Sequence, residues 1–172
     1  MTITKPLQKD CSEYAWSYIN KVEQTNLLTA LEVITKSTTD LFSHFHGEQL
    51  EYTYAPGKWN VKQILNHITD SERIFAYRIL RFARKDSTEL AGYDEDLFAK
   101  NDNTQNRTMD SLIDEYIHVR KSTILLLENF DDEILEIAGT ANKNAFTIRT
   151  WAWMIAGHNQ HHNEVVRLKY KK

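Results

Sequence analysis

A chain of 172 residues, 41% hydrophobic and 11% aromatic, is long enough for one packed core and too apolar for a disordered tail. Two prolines and five glycines are too few for the many tight turns of an all-β protein. A net charge of −3 leaves no basic excess for nucleic acid, and the single cysteine, Cys11, excludes both an internal disulfide and a cysteine-rich zinc site.

The opening stretch MTITKPLQKDCSEY has no apolar targeting core, and no segment approaches the length of a membrane span. The expectation is one cytoplasmic domain over residues 1–172, with 1–24 as an N-terminal arm and no membrane partner. Within the arm, SEYAWSYINKV reads as a short helix or an extended segment carrying Tyr14, Trp16 and Tyr18. The first long helical segment runs from about residue 26 to 44, with Leu27, Leu28, Leu31, Ile34, Thr38 and Leu41 on one face. The second has the clearest start. In GKWNVKQIL, Asn60 caps, Gln63 three residues on closes a capping box, and Trp59 with Ile64 forms a hydrophobic staple. It then carries Ile64, Leu65, Ile68, Phe75, Ile79 and Phe82 to about residue 84.

A third helix starts near Thr108 or Asp110, buries Leu112, Tyr116, Val119, Leu126 and Leu127, and stops around NFDDE. The fourth is capped by Thr147, with Phe146 and Trp151 as a second staple, and runs through Met154, Ile155, Val165 and Leu168 to the C-terminus. Four amphipathic helices and no convincing strand predict an all-α four-helix bundle. The connection from about residue 85 to 107 is long for a bundle. Extended, it reaches roughly 70 Å against roughly 38 Å for one helix, so it can cross the bundle and leave the second and third helices parallel.

Three of the seven histidines fall in AGHNQHHNEVVRLKY, at positions 158, 161 and 162. Residues four apart on a helix differ by about 40° in direction and about 6 Å in height, so His158 and His162 can aim at one point; His158 and His161 can do so nearly as well. Both pairs lie on the stripe that continues Trp151 and Ile155. An unpaired imidazole there costs roughly 1–3 kcal/mol, and a metal is the economical partner for two or three of them. His67, in LNHITDSERIF, falls on the apolar face of the second helix and supplies a third donor if those helices touch. His44 and His46, at the end of the first helix, and His118, in EYIHVR, read as background. Glu115 and His118 spell one E-x-x-H, but a di-iron bundle needs two copies and two further glutamates. A zincin is excluded because Asn159 stands where H-E-x-x-H requires its glutamate, and no G-x-S-x-G, G-x-G-x-x-G or P-loop is present.

Taken together, YAPGKWNVKQILNHITDSERIFAYRILRFARKD, LAGYDED and GTANKNAFTIRTWAWMIAGHNQHH resemble the DinB-like proteins over about residues 24–170. That superfamily includes the bacillithiol transferases and the mycothiol-dependent maleylpyruvate isomerases. The resemblance implies a bundle in up-down-down-up order and a zinc or nickel ion held by His67, His158 and His162, with His161 outside the ligand set. It also implies a homodimer, for which Tyr14, Trp16 and Tyr18 of the arm are candidates. The family name refers to induction by DNA damage and not to an activity on DNA.

Three neutral ligands leave the metal charge uncompensated and a coordination position open, so a bound water or thiol becomes a nucleophile. The resemblance to the bacillithiol transferases implies, as the first reading, a thiol S-transferase for stress or detoxification chemistry, using a low-molecular-weight thiol and a small-molecule electrophile. The alternatives are a metal-dependent hydrolase on the same site and a metal-binding or sensor protein without turnover. Asp70, one turn past His67, either orients an imidazole or pairs with Arg73 or Lys62. Asp94 and Glu95, in GYDEDLF, are candidates to overhang the pocket, Asp94 as a supporting carboxylate. Glu72 and Arg73 read as an ion pair between helices, and Asn142 as a pocket-mouth or turn residue. Arg78, Arg81, Arg84 and Lys85 read as charges complementing a helix end, or as an anion site. Cys11 sits too near the terminus to serve as the nucleophile.

Overall fold

The computed structural model describes residues 2–170; the expected domain limits at 1 and 172 and the last two residues of the final helical stretch lie outside them. In chain order the elements are α1 (Glu13–Ile19), α2 (Leu27–Phe42), α3 (Val61–Ala83), α4 (Glu95–Lys100), α5 (Met109–Leu127), α6 (Asp132–Leu135), β1 (Ala138–Ala141), β2 (Asn144–Thr147) and α7 (Ile148–Lys169). The long helices α2, α3, α5 and α7 form a four-helix bundle.

Their starts follow from local chemistry. Asn60 accepts from the Gln63 N–H while the Gln63 side chain accepts from the Asn60 N–H, completing the capping box of α3. Thr108 caps α5 through the Ser111 N–H, and Thr147 caps α7 through the Thr150 N–H. The staple before α7 is made, with the Phe146 and Trp151 ring centroids 5.1 Å apart.

The core divides into two clusters that also report helix direction. One joins Leu27 and Leu31 of α2, Phe75, Ile79 and Phe82 of α3, Leu127 of α5, and Trp151 and Ile155 of α7. The other joins Phe42 of α2, Val61, Leu65 and Ile68 of α3, Met109, Leu112 and Tyr116 of α5, and Val166 of α7. The early parts of α3 and α5 thus meet the late parts of α2 and α7. α3 and α5 run the same way, and α2 and α7 run opposite to them.

A buried polar layer ties all four helices together. Arg120, 1% exposed, donates from Nε to Glu72 Oε1 at 2.8 Å and from Nη2 to Glu72 Oε2 at 2.8 Å. Its remaining donors reach the Leu31 carbonyl, Thr35 Oγ1 and Asn159 Oδ1. Asn159 also accepts from the Tyr116 hydroxyl at 2.6 Å and donates to Thr38 Oγ1 at 3.0 Å. Every charge in this layer has a partner, the condition under which a buried ion pair is tolerated. The third-helix reading changes accordingly. Arg120 and Thr123 are buried, whereas Val119 and Leu126 are only half-buried.

Within the N-terminal stretch, Ile3, Ala15, Ile19 and Val22 all belong to the core. The backbone of α1 presses onto α7 where Gly157 leaves room. A Cβ on Gly157 would stand 2.4 Å from the Tyr18 carbonyl oxygen.

The expectation of no strand is corrected by a short hairpin. β1 and β2 pair antiparallel, with Ala141 opposite Asn144 and a two-residue loop at Asn142 and Lys143. Both loop residues have positive φ, 50° and 64°, as tight hairpin loops require. The long connection after α3 runs against this hairpin: the Leu90 N–H donates to the Thr140 carbonyl and the Asn142 N–H to the Leu90 carbonyl. Among the described residues no helix is long and apolar enough to cross a membrane.

Candidate metal centre

His67 on α3 and His158 and His162 on α7 come together where those helices face one another. His158 Nε2 lies 3.1 Å from His67 Nε2 and 3.1 Å from His162 Nε2. The three nearest ligand atoms all fall within 4.8 Å of one another. The i, i+4 spacing on α7 explains the pair on that helix. His67 is held by Trp59, the residue before the α3 cap, whose ring centroid is 4.6 Å away.

Burial pushes the His67 imidazole down to about 4. Burial, and then the neighbouring histidines, hold His158 and His162 well below the ordinary histidine range. All three rings are therefore neutral near pH 7, the form that ligates metals. An imidazole nitrogen offers one in-plane site, either a lone pair or an N–H, so His158 Nε2 cannot satisfy both neighbours with hydrogen bonds. A shared cation satisfies all three. Two nitrogens about 2.0–2.1 Å from one tetrahedral ion lie about 3.4 Å apart, close to the two 3.1 Å separations that His158 makes. The donor set fits a divalent metal.

The triad lines a cavity of about 500 Å³, within the size range of small-molecule sites. Phe75, Met154, Trp151 and Phe146 contribute apolar wall, and Tyr14 and Tyr18 reach it from α1. His161 lines the cavity but stands outside the triad, with its ring against Tyr18 at 5.4 Å. Two of the three arm aromatics, Tyr14 and Tyr18, thus line this cavity.

Other residues singled out in the sequence have different fates. Asp70 accepts from Asn66 at 2.8 Å and pairs with Arg73 at 3.2 Å, so its partners are these and none of the three imidazoles. Burial raises the Asp70 carboxyl, and Arg73 opposes that shift. Asp94 caps α4 through the Leu97 N–H instead of supporting the triad, while Glu95 beside it does line the cavity. Glu72 and Arg73 do not pair with each other. Adjacent on a helix, they point about 100° apart, and each reaches across to α5, Glu72 to Arg120 and Arg73 to Glu115. Lys62 pairs with Glu51. Asn142 serves as both turn residue and cavity wall. Arg78 separates from its neighbours: it lines the cavity, whereas Arg81 pairs with Asp86 and Arg84 is exposed. His118 is exposed on α5, and Cys11 approaches Thr150 at 4.0 Å.

Sequence reasoning missed Trp59 and Tyr93 as parts of the site. The Tyr93 hydroxyl is fixed by Ser71 Oγ at 2.7 Å, a contact across the crossover that no local spacing signals.

Over 137 residues the chain is 23% identical to a protein of Oceanobacillus iheyensis named "Putative metal-dependent hydrolase OB0413", covering 78% of each. It superposes with a TM-score of 0.73 on YfiT from Bacillus subtilis, described as a probable metal-dependent hydrolase with an unusual four-helix bundle topology. That match covers 95% of this chain and 92% of YfiT at 18% identity, a likeness of fold. The model of the DinB superfamily matches residues 30–166, and the chain belongs to that superfamily.

Proposed function

We propose that this protein is a metal-dependent hydrolase of a small molecule, with His67, His158 and His162 as the metal ligands. The observation that carries the reading is the convergence of three neutral Nε2 atoms, two pairs of them at 3.1 Å, on one wall of a cavity of about 500 Å³. A metal held by three imidazoles activates a bound water near neutral pH. The rest of the task falls to the chain. Phe75, Trp151 and Met154 exclude bulk water and pack the substrate's apolar part. His161 and Glu95, in the cavity lining, are the groups able to take a proton there. The names carried by the Oceanobacillus protein and by YfiT support hydrolysis.

Thiol transfer is the alternative use of the same centre. Cys11 is not among the cavity residues, so that chemistry needs a thiol supplied from solution.

The test is hydrolysis of p-nitrophenyl acetate by zinc- and nickel-loaded protein, with and without a chelator and with and without added cysteine or glutathione. Turnover that follows metal occupancy, disappears in His158→Ala and ignores the thiol supports the hydrolase. Turnover of an electrophile such as monobromobimane only with a thiol present replaces it with the transferase.

A further inference from the structure

Among the described residues Arg78 is one of three buried arginines, with Arg120 and Arg149. Arg120 pairs with Glu72, and Arg149 with Asp132 and Glu136. Arg78 is 4% exposed, yet among the described residues it forms no ion pair. Its hydrogen bond is a single one, from Nη2 to the Ala91 carbonyl at 3.0 Å. The phenols of Tyr93 and Tyr14 act on it and carry no charge at neutral pH, and the Glu95 carboxylate, although it lines the same cavity, forms no ion pair with it. A guanidinium has five N–H donors in a fork suited to a carboxylate, and a buried cation without a counter-ion is costly.

The free donors face the cavity. Arg78 lines it, and none of its nitrogens is among the buried atoms left without a partner. In the same wall the Trp151 indole N–H is buried and unpartnered, with the Arg78 guanidinium 4.9 Å from the ring centroid. The Arg78 donors are the ones a molecule in the cavity can reach, because the Trp151 N–H is sealed from it. Phe75 connects this corner to the triad: its ring is 5.8 Å from the Arg78 guanidinium and 5.8 Å from the His158 ring. A small molecule can therefore touch both ends at once.

We infer that Arg78 is the specificity-determining residue of this cavity and selects a small substrate bearing a carboxylate on the side remote from the histidine triad, with an apolar body against Phe75 and Trp151. The inference rests on the proposed function in assigning the reacting end to the triad; the anion site itself does not.

The probes are phenylacetate and phenylacetamide, matched in shape and differing in charge, titrated calorimetrically into full-length protein, both metal-free and zinc-loaded. Wild-type protein should bind the carboxylate about tenfold or more tightly over the amide in both states, as a charge-assisted fork predicts. Arg78→Met should abolish the preference at unchanged zinc stoichiometry, and Arg78→Lys should keep part of it. No preference in wild-type protein overturns the inference. So does a preference that needs zinc and survives in Arg78→Met, which places the carboxylate on the metal. Arg78-dependent preference in a protein that takes up no zinc upholds the anion site and removes the metal reading.

Discussion

Glu72→Gln tests whether the buried polar layer holds the bundle and, through it, the candidate site. Glu72 is 2% exposed, and both its oxygens accept from Arg120, itself 1% exposed, at 2.8–3.1 Å. Removing the negative charge strands a guanidinium that no water reaches, and breaking one side of such a pair costs about 3–5 kcal/mol. Against a total stability of roughly 5–15 kcal/mol this is severe. At roughly 2–4 °C per kcal/mol for a chain of this size, it lowers the melting temperature by about 6–20 °C. Replacing both partners, as in Glu72→Leu with Arg120→Met, removes the stranded charge and should recover much of the loss. Asn159 next to His158 shares the network, so the single variant should also bind metal more weakly. Urea unfolding in a chelator separates the two effects, because bound metal would otherwise add its own stabilisation. A single variant within 1 kcal/mol of wild type, or a double variant less stable than the single one, refutes the reasoning.

Three further outcomes follow from particular contacts. Gly157→Ala puts a Cβ against the Tyr18 backbone, which cannot turn aside. Overpacking of about 1–3 kcal/mol, at its upper end here, exceeds the roughly 1 kcal/mol of helix propensity gained. Limited proteolysis should cut faster just after α1, and equal protection would contradict the packing. Asp70→Asn leaves metal affinity unchanged and shifts stability by no more than about 1 kcal/mol, because its partners are Arg73 and Asn66; a large fall in metal affinity would restore Asp70 as a supporting carboxylate. The third concerns pH. The folded state holds His67 at about 4, below its unfolded value, so the metal-free fold binds fewer protons than the unfolded chain between those values. Its contribution to stability is complete above about pH 6.5 and falls away toward pH 4. Urea midpoints at pH 8, 6 and 5 should descend, and a flat series would contradict the neutral triad.

The helices that carry the histidines were legible because their signals are local. The Asn60–Gln63 box, the Thr147 cap and the Phe146–Trp151 staple each lie within a few residues. The pairing of His158 with His162 was one of two options that helical spacing allowed, and only the DinB resemblance distinguished them. The hairpin was hidden for a physical reason. Its strands have four residues each, and its loop sets Asn142 and Lys143 at positive φ without the glycine that normally marks such a turn. The fates of Glu72, Arg73 and Arg78 depend on partners 10 to 50 residues away, contacts made by helix packing and the crossover rather than by local pattern.

Metal content tests the central claim most directly. The full chain, purified without chelator or histidine tag and supplied with zinc or nickel, should hold close to one ion per chain by mass spectrometry. His67→Ala, His158→Ala and His162→Ala should each lose it, while His161→Ala keeps it. A wild-type protein that takes up no ion, or a His161→Ala variant that loses it as fully as the other three, would contradict the account.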